Sequence, residues 1–407
     1  MSKKTYLLLS FILLSCFMTW TNGEGAIVPG VHPRVFLDSN RLQLIRNKVA
    51  QNDPTWIRFE SYLNDNAIPP NGYNLFLGAL AYQALKGIDN VKANGYADMV
   101  INGMMAVINE GVSSAEDVNR YYLYNMGLAY DWVYDRLTSQ QKTSVITWID
   151  AVYQNNPNGH EKDTKTYGLH YWHNYTIDFM FGNAVAGYAI YDENQTLALD
   201  MIDNAAHRWS VDLVSQIAFI ASNGAYPEGD GYGYSSIPNM FRYAKAVETA
   251  EGRNVWDDAQ WIKNRMTYDM FAFFPTRYLD SEYNGYYRVR VGSGDSLRHH
   301  FKGDLVRAGA LIYISSHPDA EESKRMQSWL DAIDNKALGG ETSVDDFLWY
   351  NPGQAKVPYS SAPLTTFSGQ GTNNIALGEV IMRSDWTDSA TWIRFVSGDY
   401  FLYHQHL

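Results

Sequence analysis

The chain has a single cysteine, Cys16, in 407 residues. Because Cys16 lies in the first apolar run, the mature domain has no disulfide framework, thiolate nucleophile or cysteine metal site, and a domain of this size needs none. Positive charge is also scarce: 32 Lys and Arg against 44 Asp and Glu give a formal charge of -12. Removal of a leader carrying Lys3 and Lys4 takes away two positive charges and brings it to -14. A surface this acidic argues against nucleic acid or an anionic membrane as partner, and an acidic substrate would need a locally basic cleft. Repeats of fixed period, low-complexity segments and nucleotide-binding motifs are all missing. The apolar run from Tyr6 to Trp20 is too short and too early for a transmembrane span. Preceded by Lys3 and Lys4 and followed by Thr21-Asn-Gly23, it reads as a signal peptide over 1–23. Leu13-Leu-Ser-Cys16 also fits a lipoprotein signal, which would make Cys16 a lipid anchor. Either route places the protein outside the cytoplasm, as a secreted or periplasmic protein or an outer-membrane lipoprotein.

What is present is apolar and aromatic: 46% hydrophobic residues, with 30 Tyr and 12 Trp. That is enough for one large domain and a smaller one, and flat amphipathic rings suit the faces of sugars. From about Asp38 to Ile333, apolar residues recur at three- and four-residue spacing, which predicts a succession of paired helices. Ser39 is the expected cap of the first, and Leu137-Thr-Ser-Gln-Gln141 opens another. The small-residue run Gly182 to Ile190 predicts close helix approach, and Leu197 to Ala221 reads as one long helix. Tyr283 to Val291 reads as a hairpin. Composition shifts near Gly339, so 24–338 is expected to be a helical catalytic domain and 339–364 a linker. Residues 365–407 begin a β domain with strands at Ile375 to Arg383, Thr391 to Ser397 and Tyr400 to Tyr403. So few strands leave apolar faces uncovered, as in a truncated sandwich.

The chain is organised around Ala225-Tyr-Pro-Glu-Gly-Asp-Gly-Tyr-Gly-Tyr-Ser235. Three glycines and a proline predict an irregular, non-core loop, with Pro238 in the first turn of the helix that follows. Glu228, Asp230, Tyr232 and Tyr234 put ionisable groups on that loop. Tyr171-Trp-His-Asn174 and Tyr403-His-Gln-His406 are two further polar constellations. Each has a plain alternative: His173 as a packed histidine, Glu228 and Asp230 as caps of their own loop. His404 and His406 share one face of a strand and form half of a metal site, with no third ligand in view. Arg288, Arg290, Arg298, His299 and His300 form the densest cationic patch, suited to carboxylate or sulfate.

Taken in order, several short motifs resemble the heparinase II/III-like polysaccharide lyases, which include alginate lyases. They are His-Pro-Arg (His32 to Arg34), Tyr130-Asp-Trp-Val133, Trp-His-Asn at Trp172 to Asn174 and Glu-Gly-x-x-Tyr from Glu228. Gly-x-Gly-Asp-Ser from Gly292, Met-Arg-Ser-x-Trp from Met382 and the terminal His-x-His-Leu complete the set. The resemblance implies an α+β multidomain chain, an incomplete (α/α) toroid followed by an antiparallel β-sandwich domain, with the cleft between them. It implies that His173 and Asn174 neutralise a uronate carboxylate, that Tyr232 is the catalytic tyrosine with Tyr234 the competing assignment, and that His404 transfers a proton. Tyr234, Glu228, Arg288, Arg290 and His300 are then the substrate-binding residues. His406 is the ligand of a structural divalent metal, zinc or calcium, whose companions lie beyond Leu407. No organic cofactor is implied.

The expected reaction is β-elimination. The proton on the carbon next to the uronate carboxyl leaves, the glycosidic oxygen is expelled, and negative charge builds on the carboxyl, where preorganised donors lower the barrier. A phenol ordinarily ionises near 10, so a tyrosine base needs positive charge nearby, while as an acid it can protonate the leaving oxygen. Alginate is the first expected substrate, with heparan sulfate, chondroitin and ulvan as others. The rivals are a glycoside hydrolase using Glu228 or Asp230 and a non-catalytic glycan-binding surface protein.

Overall fold

The computed structural model describes residues 26–66, 70–156, 172–221, 223–280, 285–290, 304–333, 341–368 and 378–398. They are mostly helical, with a small antiparallel three-strand sheet and a two-strand hairpin. The helices are α1 Ser39–Ala50, α2 Pro54–Asn66, α3 Leu75–Leu85, α4 Asn90–Glu110, α5 Glu116–Trp132, α6 Ser139–Asn155 and α7 Asn174–Ile190. After them come α8 Gln195–His207, α9 Ser215–Ile220, α10 Gly229–Glu251, α11 Gln260–Phe271, α12 Asp304–Ser316, α13 Glu321–Ala332 and α14 Glu341–Trp349.

Local chemistry sets their starts. Asp38, one residue before the expected Ser39, caps α1 by accepting from Arg41 N at 2.7 Å. Thr138 and Gln141 form a reciprocal capping box on α6, which satisfies two donors that the first turn leaves unpaired. Packing then joins elements in pairs: α3 with α4 and α5, α5 with α7, α7 with α8 and α10, α10 with α12, α12 with α14, and α14 with α2. Close approach in the α7 segment is observed. A Cβ on Gly187 would lie 2.9 Å from the Ala198 carbonyl oxygen, and one on Gly127 of α5 would lie 3.0 Å from the Ala186 backbone.

Several sequence expectations need correction. The central stretch is not a non-core loop: Ala225, Tyr226 and Glu228 are buried, and from Gly229 the chain is already α10. Gly233 lets the helix lie against the Tyr226 ring, since a Cβ there would meet that ring at 2.9 Å. Packing thus overrides the poor helix propensity of glycine. Pro238 stands inside α10 and not in its first turn, and having no N–H it leaves the Tyr234 carbonyl without its usual helical donor. The long helix expected from Leu197 is interrupted by a π segment, Arg208–Val214, between α8 and α9. The stretch 339–364, expected to be a linker, contains α14, whose Val344, Phe347, Leu348 and Trp349 are buried.

The hairpin pairs β1 Phe273–Asp280 with β2 Gly285–Arg290, with an irregularity between Phe273 and Arg277. The sheet runs β3 Thr365–Ser368, β4 Glu379–Arg383, β5 Trp392–Val396, in that order. Strands β4 and β5 fall within the expected ones; β3, short and polar, was not anticipated, and Tyr400 to Tyr403 lies outside the described residues. One face of the sheet meets α11, where Trp392 Nε1 donates to the Phe271 carbonyl at 2.9 Å. The register puts Phe367 and Phe395 on either side of Val380, and Ile393 opposite Met382. Phe367, Met382, Ile393 and Phe395 are exposed, so this other face is an apolar patch open to solvent.

The N-terminal segment is tied down by the His-Pro-Arg motif. Fully buried Asp131 on α5 pairs with His32 Nδ1 at 2.6 Å and accepts from Arg34 N and Val35 N at 3.0 and 2.9 Å. Arg34 in turn pairs with Asp192 at 2.6 Å. Asp131→Ala would leave these donors buried without an acceptor, and is expected to destabilise the protein by roughly 3 kcal/mol in chemical denaturation. A loss below about 1 kcal/mol would mean that the cluster is not what anchors the segment.

Candidate functional site

The site is built where the chain enters α7 and α10. His173 is the N-cap of α7, with Nδ1 accepting from Tyr175 N at 3.2 Å. Asn174, the first helical residue, donates its backbone N–H to Glu228 Oε2 at 2.9 Å. The Tyr226 hydroxyl donates to the Trp172 carbonyl. These two bonds clamp the stretch before α10 onto the start of α7. From the other side, α11 holds the same stretch: Trp261 Nε1 donates to the Ala225 carbonyl at 2.6 Å and Arg265 to the Gly224 carbonyl at 2.9 Å.

The bond to Tyr175 N fixes the state of His173. Its Nδ1 lone pair is in use, so the neutral ring carries its proton on Nε2, and Nε2 lies 3.8 Å from Glu228 Oε1. Glu228 is completely buried. Burial pushes its carboxyl up to about 8, opposed by the Asn174 N–H and assisted by Asp178, so at neutral pH it keeps its proton. Glu228 Oε1 and Asn174 Oδ1 are buried without a hydrogen-bond partner among the described residues. A proton on Glu228 turns the first of these acceptors into a donor.

A polar chain leads inward from this cluster. Buried Asp178, one turn past Asn174 on α7, accepts from Asn239 Nδ2 of α10 at 2.7 Å and pairs with Arg120 of α5. Burial raises its carboxyl to about 6 against the pull of Arg120 and Asn239. The Arg120 guanidinium lies 4.0 Å over the Tyr175 ring, whose edge meets His173 at 5.2 Å. Arg242 donates to Asn239 Oδ1 at 2.9 Å. Beyond it opens a cavity of about 490 Å³, with walls from α2, α3, α5, α7, α10 and α14, within the range of small-molecule sites.

The structure therefore brings His173, Asn174 and Glu228 together. Tyr232, half-buried, follows four residues after Glu228 near the start of α10, and its carbonyl accepts from Ser236 Oγ at 3.4 Å. The backbone of Tyr234 lies on α10, and that of Arg288 and Arg290 on β2, opposite Arg277 and Phe273. His300, His404, His406 and Cys16 lie outside the described residues. Among the described residues no group of three or more His, Cys, Asp and Glu is placed to hold a metal ion. Glu228 stands behind the Asn174 backbone, completely enclosed, so it supports the site and is not the open substrate contact expected. Arg120, Asp178, Asn239 and Arg242 were missed; the signal was Asp178, a lone carboxylate in the otherwise apolar turn Thr176 to Phe181.

No protein-family model matches the chain, and no curated protein matches it significantly. The heparinase II/III-like resemblance rests on the motifs alone.

Proposed function

We propose that this protein is an exported polysaccharide lyase of the heparinase II/III-like kind, cleaving a uronate-containing polysaccharide by β-elimination, with alginate the first candidate. The observation that carries this is the junction of His173 and Asn174 at the start of α7 with the segment that leads through Glu228 to Tyr232. Export is by simple secretion or with a lipid anchor at Cys16, and no described helix is long and apolar enough to cross a membrane.

The packing order of the helices supports an (α/α) toroid, because contacts run from α3 through α5, α7, α10, α12 and α14 back to α2, which itself touches α3. The exposed apolar face of the three-strand sheet supports a β-sandwich, whose second sheet would cover it.

In this reading His173 acts as a donor: with Nδ1 occupied, Nε2–H meets the substrate carboxylate. Asn174 adds its side-chain amide at the positive end of α7, where developing negative charge is favoured. The carbon next to the carboxyl loses its proton, its electron pair forms the double bond, and the glycosidic oxygen leaves with a proton. Tyr232 and His404 divide the two proton transfers, with the phenol supplying the leaving oxygen. His406 is the proposed ligand of a structural divalent metal, which has no part in these steps.

The rival reading is a glycoside hydrolase with Glu228 or Asp230 as general acid, and the complete enclosure of Glu228 behind the Asn174 backbone counts against it. Incubation with alginate, heparan sulfate, chondroitin and ulvan separates the two. Ultraviolet absorbance from new unsaturated uronate is the expected result; reducing ends without that absorbance would mean hydrolysis and end the lyase proposal.

A further inference from the structure

We infer that the central cavity is a binding site for one carboxylate-bearing sugar, with Arg242 taking the sugar's carboxylate in place of Asp345. The inference rests on the proposal that the ligand is an acidic glycan, but it concerns a position away from the cleavage point. Arg242 is ten residues beyond Tyr232 on α10, about 15 Å along the helix axis.

Arg242 and Asp345 are the charged side chains among the described residues that line the cavity; the rest of the wall is mainly tyrosine, tryptophan, asparagine and aliphatic residues. Rings such as Tyr62, Tyr121 and Trp349 offer stacking surface to a sugar face. The two charges are poorly satisfied by each other. Their closest approach is 3.5 Å, well beyond the 2.7–2.9 Å of a good charge-assisted bond. Among the described residues Arg242 uses only this contact and its bond to Asn239, leaving most of its five N–H donors for a ligand. Its side chain is 27% exposed, into the cavity, whereas that of Asp345 is 13% exposed. Burial holds the Asp345 carboxyl above the usual range, with Arg242 and Trp349 pulling it down and the neighbouring Asp346 pushing it up, and all it offers Arg242 is one long contact. An incoming carboxylate can approach the guanidinium side-on, as a two-oxygen acceptor, which Asp345 does not do.

Trp132 and Trp349 line the same cavity, so the full-length protein reports occupancy by its own fluorescence. The test titrates it with sodium glucuronate and with glucose at matched ionic strength. Neither sugar has a glycosidic bond to expel, so binding is read without any turnover. The expected result is a fluorescence change with glucuronate at about tenfold lower concentration than with glucose. Asp345→Asn should tighten glucuronate binding several-fold by releasing Arg242, and Arg242→Gln should remove the preference for the acid while leaving glucose binding as it was. Equal affinity for the two sugars, no response to either, or an Asp345→Asn protein that binds glucuronate no better than the wild type would each overturn the inference. Elimination in the polymer panel together with any of these leaves the lyase proposal standing. Glucuronate binding without elimination on any polymer sinks the lyase proposal and keeps the cavity site.

Discussion

Tyr232→Phe is expected to lower the rate of elimination by about 10²–10⁴-fold, the usual worth of a positioned proton-transfer group, with melting temperature and substrate KM nearly unchanged. Phenylalanine keeps the ring and removes only the hydroxyl. The backbone of Tyr232 is held independently of that hydroxyl, since its carbonyl accepts from Ser236 and the residue sits within α10. A loss confined to kcat would mark an interaction made in the transition state and not in the bound substrate. Initial rates of unsaturated-uronate formation on the polymer chosen by the panel provide the measurement. Activity within about threefold of wild type, far below the range for a proton-transfer group, would remove Tyr232 from the mechanism and pass the role to Tyr234.

The second large effect is on stability and does not depend on the substrate. In the folded protein Glu228 holds its proton up to about 8, while its ordinary value is 4.5. Between those values the unfolded chain has released a proton that the folded chain keeps, so rising pH favours unfolding. The contribution is fully present below pH 4.5 and is lost as pH rises through 8. Glu228→Gln replaces the neutral acid by a neutral amide of the same shape, which can still accept from Asn174 N. Urea denaturation should therefore show the two proteins similar near pH 4.5, with the variant gaining on the wild type by roughly 4–5 kcal/mol at pH 8 and above. Asp178, raised to about 6 by its own burial, titrates in both proteins and largely cancels in the comparison. A constant difference across the pH range would mean that Glu228 ionises normally inside the fold, held by the Asn174 N–H and the end of α7.

The helices were legible where one side of the period carries the burial. On α4, Tyr96, Val100, Met104 and Val107 are buried at three- and four-residue spacing while Val91, Asn102 and Glu110 face solvent. Capping at Thr138 was legible because it is chemistry between near neighbours. The segment around Gly229 was misjudged because its glycines answer to contacts far along the chain or across a turn, such as the Tyr226 ring against Gly233. No local rule distinguishes a glycine that breaks a helix from one that makes room beside it. For the candidate site, the order of motifs pointed to His173, Asn174 and Tyr232, and the structure brings the first two together with Glu228. The Arg120–Asp178–Asn239–Arg242 chain was not visible, because its members come from α5, α7 and α10 and meet only after those helices pack. The fate of Glu228 was likewise hidden: burial, which sets its proton affinity, is a property of the assembled helices.

The contact between the first helices and α14 bears on the order in which the molecule can be made. Lys48 on α1 donates to the main-chain carbonyls of Asp346, Phe347 and Tyr350, the first of them 298 residues away. Phe59 of α2 stacks on Phe347 at 5.1 Å. At about 5–20 residues per second, a ribosome needs on the order of 15–60 s between making one side of this seam and the other. For that interval Trp56 and Phe59 lack the partner that α14 provides, and the late join carries a loop-closure cost that only the finished seam offsets. The nascent chain thus presents the aromatic surface of α2 to whatever guards emerging polypeptides until α14 arrives.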